Sequence, residues 1–347
     1  MSYQTMNLFV LGMDGKVRRA VWNNTSWDWS LIDGAAFNQG NPIAAVSGVS
    51  PNLFVLGQDG VVRWAFQNGS DWNWAAIGGA AFNQGNPIST FGAARSMNLF
   101  VLGQDGVVRW AFQNGSGWSW ATIEGAAFSQ GTPIAVGSIG SQDENAPVYM
   151  NIFVLGEDGV VRWAFQNSSG WHWAAIEGAA FNQGNPITVG GTSTFALDIF
   201  VLGKDGVIRW GFQNTSGWHW ATIGGAGFDQ GTSIAMAPTN FIFVLGNDGE
   251  LRQATYQNST WKWSAIGGAA FNRGNRVSYN YQQDAFGIAW PNLFVLGKDG
   301  VIRWAFQNGS SWNWAAISGA AFNQSTPITC ASIGLPLGGN GGGDTPC

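Results

Sequence analysis

The chain has 347 residues, of which only 10% are charged, and its formal net charge is −5. Soluble proteins usually carry about 25% charged residues, so most of this surface is expected to be neutral. The acidic balance argues against nucleic-acid binding, which normally requires a basic patch. The two cysteines, Cys330 and Cys347, are too few for a disulfide framework or a thiolate zinc site, and they either form one late bridge or remain thiols.

The first residues, MSYQTMNLFVLG, lack the basic region and long apolar run of a signal peptide. No stretch approaches the roughly 18 uninterrupted apolar residues of a membrane-spanning helix. We therefore expect a soluble protein that is made in the cytosol and does not insert into a membrane. A non-classical route would remain open for its release.

One sequence unit recurs along almost the whole chain. Its seven copies begin near Asn7, Asn52, Asn98, Asn151, Asp198, Phe241 and Asn292. Repeats of about 40–50 residues made of short strands are typical of β-propellers. We therefore predict an all-β, seven-bladed β-propeller over residues 1–333, followed by a flexible glycine-rich tail over 334–347.

The clearest copy predicts four short strands. Large β-forming residues give strands over 52–57, 61–67 and 72–77, and a fourth strand starts at Pro87 and ends near Ser89. Glycine after Gln58-Asp59 accepts the positive φ of a tight hairpin turn. Each copy therefore supplies one four-stranded antiparallel blade.

Side-chain size predicts how the strands are ordered and how the ring closes. The small apolar strand after each proline suits the crowded central axis, and the tryptophan-rich strand suits the periphery. The FNQGNP connection would then run from the rim of one blade to the hub of the next. The first copy lacks a hub strand, so the extra strand Pro327–Ala331 should pair with the N-terminal strands and remove the exposed sheet edges.

Acids and histidines give little support for catalysis or metal binding. One aspartate recurs before each turn glycine, which is typical of a turn residue. Hydrolysis of a glycoside would need two converging carboxylates, and no copy supplies a distinctive pair. His172 and His219 occupy a position where other copies carry Asn, Ser or Lys, which favours a solvated side chain over a metal ligand. The Asn-x-Ser/Thr triplets, which lie between the second and third strands of each copy, are best explained as turn chemistry.

Tryptophans and neutral polar residues recur together. Two indoles separated by one residue project from the same face of a strand, beside a neighbouring Arg-Trp pair. They can form the packing between blades, a partly open platform for a sugar ring, or both. Recurrent arginine and amide side chains suit hydrogen bonds to a neutral polyol, although hydrogen bonding within the loops is the alternative. The candidate carbohydrate-binding residues are Arg63, Trp64, Gln67, Trp72, Trp74, Asn83, Gln84, Arg109, Trp110, Trp118, Trp120, Arg162, Trp163, Trp171, Trp173, Arg209, Trp210, Trp218, Trp220, Arg303, Trp304, Trp312 and Trp314.

Copies one and six depart from this pattern. They carry Arg18-Arg19 and Arg252-Gln253 where five copies have Arg-Trp, and Tyr256 replaces the glutamine. We expect degenerate sites in these two blades and about five good sites in the ring.

The motif Phe54-Val55-Leu56-Gly57-Gln58-Asp59-Gly60, followed by Trp72-x-Trp74, resembles the seven-bladed β-propeller lectins of the Photorhabdus type over nearly the whole chain to about Ile333. That resemblance implies multivalent binding of fucose, and sometimes galactose, between adjacent blades, without catalysis or cofactors. The partners would be cell-surface or soluble glycans. The alternatives are a protein-interaction scaffold, which should diverge on one face, and a propeller enzyme, which should show one acid-rich blade. The protein would act as a monomer or as a dimer, for which Trp290 is a candidate contact.

Overall fold

A computed structural model describes residues 5–47, 50–92, 97–114, 117–138, 149–191, 197–237, 240–283, 289–309, 311–324 and 326–333. All the regular structure in these ranges is β-strand, and no described segment forms a helix that could cross a bilayer. In chain order the strands are β1 (Thr5–Leu11), β2 (Val17–Trp22), β3 (Trp27–Ile32), β4 (Ile43–Val46), β5 (Asn52–Leu56), β6 (Val62–Asn68), β7 (Asp71–Ile77), β8 (Ile88–Phe91), β9 (Asn98–Leu102), β10 (Val108–Asn114), β11 (Gly117–Ile123), β12 (Ile134–Ser138), β13 (Met150–Leu155), β14 (Val161–Asn167), β15 (Gly170–Ile176), β16 (Ile187–Gly190), β17 (Asp198–Leu202), β18 (Ile208–Asn214), β19 (Gly217–Ile223), β20 (Ile234–Ala237), β21 (Phe241–Leu245), β22 (Leu251–Gln257), β23 (Thr260–Ile266), β24 (Val277–Gln283), β25 (Ala289–Leu296), β26 (Ile302–Asn308), β27 (Ser311–Ile317) and β28 (Ile328–Ile333).

The strands form seven four-stranded antiparallel sheets arranged as a ring. Blade two has the order β4-β5-β6-β7, and blades three to seven repeat this order with the following strands. The innermost strands β28, β4, β8, β12, β16, β20 and β24 contact one another in that sequence and close the circle. The predicted seven-bladed β-propeller is therefore confirmed, with the strands that follow each crossover at the hub and the tryptophan-rich strands at the rim.

Blade one is completed by the C-terminal strand. β28 lies beside β1 in an antiparallel register that runs from Thr5 opposite Ile333 to Val10 opposite Ile328. The predicted closure is confirmed, and it covers the edge of β1 that would otherwise be unpaired. Cys330 lies buried in this strand, with its sulfur 2.9 Å from the carbonyl oxygen of Tyr279. The proposed bridge to Cys347 and the predicted tail lie outside the described residues.

The hairpin of each blade forms because of its glycine. Gly60 has φ of 78°, a value that favours glycine, and its N–H donates to the Gly57 carbonyl at 2.9 Å. The Gly60 carbonyl in turn accepts a 2.8 Å bond from the N–H of Phe82, which anchors the crossover to the hairpin of the same repeat. A β-carbon on Gly60 would lie 2.6 Å from the Phe82 carbonyl oxygen, so this glycine is also required by close packing.

The core lies between blades rather than within any one of them. One face of blade two contributes Phe54 and Leu56, and the opposing face of blade three contributes Leu99, Val101 and Ala111. Each sheet is one layer thick, so its second strand is buried on both faces, as the wholly buried run of β5 shows. Full burial of a side chain such as Phe54 stabilises the fold by about 1.5–3 kcal/mol.

Candidate functional site

The tryptophan positions of one repeat point into two different interfaces. In the register of blade two, Trp64 faces the same way as Phe54, whereas Trp72, Trp74 and Gln67 project from the opposite face. Each groove between blades at the rim is therefore lined by residues of two successive repeats. In the groove between blades two and three, Trp64 meets Trp118 of the next repeat, with ring centroids 5.7 Å apart.

The first tryptophan of each pair packs edge-on against the preceding blade. The Trp118 ring is 5.7 Å from the Phe54 ring and 5.7 Å from the Trp64 ring, at interplanar angles of 80° and 73°. Its indole nitrogen is sealed from solvent and has no hydrogen-bond partner, although the side chain as a whole is only half-buried. The same nitrogen is sealed in Trp27, Trp171, Trp218 and Trp261.

The second tryptophan of each pair holds the crossover of the preceding repeat. The Trp120 ring packs 5.0 Å from the ring of Phe82, which is almost fully buried. In blade two, the equivalent Trp74 donates its indole N–H to the Asp33 carbonyl at 2.9 Å. This residue is therefore packing between blades. The other crossover contacts are Trp29–Phe322, Trp74–Phe37, Trp173–Phe128, Trp220–Phe181, Trp263–Phe228 and Trp314–Phe271.

The tryptophan of the third strand from the hub, such as Trp64 on β6, is fixed in place by its own blade. Trp64 donates its indole N–H to the Asn52 side-chain oxygen at 2.9 Å and lies against Phe66 with ring centroids 4.3 Å apart. Its polar edge is thus used internally, and part of its carbon face remains open because the side chain is half-buried. Trp110, Trp163, Trp210 and Trp304 make the equivalent bonds to Asn98, Asn151, Asp198 and Asn292.

A glutamine beside the first tryptophan leaves its amide unengaged. Gln113 lies opposite Trp118 in the register of β10 and β11, on the face that lines the groove. It is half-buried, yet its side-chain amide makes no hydrogen bond within the described ranges. Gln67 and Gln166 hold the same place beside Trp72 and Trp171. These amide atoms are not sealed from solvent, so they remain accessible to a ligand.

The predicted arginines lie at the other end of the strand, where the hairpin turns. Arg63 donates to Asp59 at 2.5 Å, and this bond, together with one from the Val61 amide, lowers the pKa of the Asp59 carboxyl. Arg63 and Gln67 are four residues apart on one face, or about 13 Å. The ring of Trp74 lies between them on the neighbouring strand. The sequence pattern predicts a turn role for this aspartate, which the bond from the Val61 amide confirms, but its pairing with arginine was not predicted. The recurring Asp-x-x-x-Arg spacing was the available signal.

The amides of the crossover form a latch between successive repeats. Gln84 donates to the Gly57 carbonyl at 2.6 Å, and its oxygen accepts bonds from Asn38 and Asn41 of the preceding crossover. Asn83 donates to Gln130 of the next crossover at 2.9 Å. Where Arg273 replaces the glutamine in the sixth repeat, it forms an ion pair with Asp229, which replaces the asparagine in the fifth. The side chains of Asn83 and Gln84 therefore form hydrogen bonds that join successive crossovers and do not point to a ligand site.

The polar turns at the groove mouths are satisfied locally. Asn167 accepts hydrogen bonds from the amide and hydroxyl of Ser169, which confirms that its Asn-x-Ser triplet acts in a turn. His172 contacts the same two residues through its Nε2 atom. The described residues contain no cluster of three potential metal ligands.

The two irregular repeats alter four of the seven grooves, because each groove draws on two blades. The groove between blades one and two has Arg19 in place of Trp64, and the groove between blades six and seven has Gln253, which accepts a bond from Trp312 at 3.0 Å. The glutamine is replaced by Tyr256 between blades five and six and by Trp22 between blades seven and one. Only the three grooves from blade two to blade five combine both tryptophans with the glutamine.

Comparisons with known proteins show the fold. No protein-family model matches the chain, and no curated protein matches it. The fucose-specific lectin from Aleuria aurantia has a TM-score of 0.59 at 17% identity, over 88% of this chain and 100% of the lectin, which is described as a six-bladed β-propeller. SapL1 lectin in complex with α-methyl fucoside has a TM-score of 0.57 at 15% identity, over 82% and 97%.

The fold is not confined to lectins. A candidate 6-phosphogluconolactonase from Bacteroides uniformis has a TM-score of 0.62 at 11% identity, over 95% of this chain and 100% of that one. At such identities the similarity concerns architecture alone. The chain is thus a seven-bladed β-propeller whose structural neighbours include fucose-binding lectins.

Proposed function

We propose that this protein is a multivalent lectin, without catalytic activity, that binds a neutral monosaccharide in the grooves between blades, with L-fucose as the first candidate. The observation that carries the proposal is the unengaged Gln113 amide beside the half-open rings of Trp64 and Trp118. Gln166 and Gln213 hold the same place in the next two grooves, beside Trp171 and Trp218. The fucose-binding neighbours support it.

The chemistry of the groove suits a sugar. An indole that exposes part of its carbon face offers a flat apolar platform for the less polar side of a pyranose ring. The glutamine amide supplies both a donor and an acceptor for hydroxyl groups, which have the same dual character. The groove between blades two and three carries no charge among Trp64, Phe66, Gln113, Trp118 and Trp120. A neutral ligand would therefore leave no buried charge unpaired.

Multivalency would compensate for weak single sites. Three like grooves on a rigid ring can raise the avidity for a glycan-coated surface by about 10²–10⁴. The grooves next to blades one and six lack one member of the set and would bind more weakly. Arg63 and its equivalents remain proposed contacts, but a ligand that touched both Gln67 and Arg63 would have to extend along the groove by about 13 Å. An oligosaccharide has that length, whereas a single sugar does not.

The absence of catalysis is proposed from the carboxylates. Asp59 and its six equivalents each pair with an arginine on the same hairpin, as in the 2.5 Å contact between Asp59 and Arg63. They are thereby held as separate ion pairs, one to a blade, rather than as the two converging carboxylates that glycoside hydrolysis requires.

Calorimetric titration with L-fucose, after a glycan array has ranked the sugars, tests the proposal through stoichiometry. We expect three equivalents of sugar per chain, and two after Gln113→Ala. The Gln113 amide has no partner within the described chain, so this substitution should leave thermal unfolding unchanged. Gln58→Ala, on an exposed hairpin turn, is the matched control and should retain three equivalents.

The competing scaffold function predicts a different result. If no neutral sugar binds, and a single protein is captured with saturable affinity that Gln113→Ala leaves unchanged, the lectin proposal is wrong. If the Gln113→Ala protein still binds three equivalents, the groove between blades two and three does not bind sugar as proposed.

A further inference from the structure

The groove between blades one and two presents a charged side chain where the regular grooves present an indole. Arg19 lies opposite Phe9 in the register of β1 and β2, which is the place that Trp64 holds opposite Phe54 in the next blade. Its guanidinium carbon is 5.5 Å from the centroid of the Trp72 ring, contributed by blade two. The cation therefore stands over the aromatic face that lines this groove.

Arg19 is oriented from one side and left open on the other. Its Nε atom donates to the Asn7 side-chain oxygen at 2.7 Å, and Asn7 is itself buried and held by the Thr5 carbonyl. The two terminal nitrogens of Arg19 make no hydrogen bond to any described residue. By contrast, the arginine one position earlier in each of the seven repeats forms an ion pair with its hairpin aspartate, as Arg18 does with Asp14 at 2.7 Å.

No described carboxylate neutralises Arg19. The nearest acid on the same face in register, Asp28, lies opposite Val21 and accepts hydrogen bonds from Asn23 and Ser26 instead. Partial burial removes some of the hydration of the Arg19 guanidinium and lowers its pKa from its ordinary value. A partly dehydrated cation that lacks a counter-ion favours an anionic ligand.

The rest of the groove retains the features of a binding site. Gln67 lies opposite Trp72 on this face, and its amide makes no hydrogen bond within the described ranges. The Trp72 indole nitrogen is not among the sealed nitrogens of its counterparts in blades one and three to six. The groove thus combines a guanidinium fork, a half-buried ring and a free amide.

We propose that the groove between blades one and two binds a carboxylated sugar, with the terminal nitrogens of Arg19 donating to the carboxylate, the sugar ring resting on Trp72, and Gln67 bonding a hydroxyl group. This rests on the proposed function, because it assigns a different sugar class to one of the repeated grooves. The planar fork of arginine matches a carboxylate with two parallel hydrogen bonds, and charge-assisted bonds of this kind are stronger than neutral ones.

Titration of the full chain with methyl β-D-glucuronide and methyl β-D-glucoside tests the assignment, because the two probes differ only at C6, which is a carboxylate in the first and a hydroxymethyl group in the second. We expect one equivalent of glucuronide per chain and a preference over the glucoside of at least about tenfold. Arg19→Gln should abolish that preference. Lys204→Gln, which removes the same charge from an exposed turn, should retain it.

Gln67→Ala gives an independent reading if Arg19→Gln perturbs folding. Its amide has no intramolecular partner in the described chain, so the variant should fold normally and bind glucuronide several-fold more weakly. Equal affinities for the two glycosides in the unaltered protein, or a preference that survives Arg19→Gln, would overturn the assignment. L-Fucose titrated into the same proteins separates the two proposals, since its isotherm should not respond to Arg19→Gln. If the unaltered protein binds glucuronide but not fucose, the result contradicts only the proposal that the regular grooves bind a neutral sugar.

Discussion

Gln130, a member of the crossover latch, should contribute measurably to the free energy of unfolding. Its amide donates to the Gly103 carbonyl at 2.8 Å, and its oxygen accepts bonds from Asn83 at 2.9 Å and from Asn86 at 2.8 Å. A net contribution of about 0.5–1.5 kcal/mol for each bond, taken near the lower end because Gln130 is exposed, gives about 2 kcal/mol for Gln130→Ala. The buried Asn86 keeps a second acceptor, the Leu102 carbonyl, which limits the loss.

The next repeat provides the matched control. Gln183 occupies the equivalent position, but its side chain makes one hydrogen bond, a 2.7 Å donation to Ser129. Gln183→Ala should therefore cost about 1 kcal/mol or less. Urea denaturation of the two variants, with the free energy of unfolding extrapolated to water, measures the difference. Equal losses in the two variants would refute the idea that the amides act as a latch between repeats.

Three further predictions address the hairpins and the closure. Gly60→Ala should destabilise the protein by at least about 1 kcal/mol more than Gly69→Ala, because both glycines have positive φ but only Gly60 would bring a β-carbon against the Phe82 carbonyl; thermal denaturation compares the pair. The hairpin carboxyls, whose pKa values are lowered in the fold, stabilise it fully above their unfolded pKa and lose this effect as the pH falls, so the urea midpoint should hold above about pH 5 and decline below about pH 4, less steeply in Asp59→Asn. A midpoint that stays constant to pH 2 would contradict this. Deletion of 328–347 should leave the apolar β1 with a free edge and produce oligomers in size-exclusion chromatography, whereas deletion of 334–347 alone should not.

The architecture could be predicted from the sequence because each strand and turn is determined by residues that are adjacent in the chain. Expected strands over 52–57, 61–67 and 72–77 became Asn52–Leu56, Val62–Asn68 and Asp71–Ile77, and the strand after Pro87 became Ile88–Phe91. Turn glycines and alternating β-formers fix these boundaries through nearest neighbours. The closure was also predictable, since one copy lacked a strand that another segment could supply.

The composition of the grooves was harder to predict because it depends on which face each side chain occupies. The sequence places Trp64 beside Trp72, but the register sends them to opposite faces, so Trp64 meets Trp118 instead. Counting irregular repeats therefore suggested about five regular sites, whereas pairing across blades leaves three complete grooves. The crossover amides Asn83 and Gln84 gave no local sign that their partners lie one repeat away.

The pairing of β1 with β28 joins the first and the last described strands in one sheet. During synthesis the first blade lacks its innermost strand until the other six blades and β28 have been made. Contacts between such distant segments are slow to form, because a long loop must be closed before they contribute. A nascent chain that has not reached β28 therefore carries an incomplete first sheet, and a chain that stops before Ile328 would leave the inner edge of β1 unpaired.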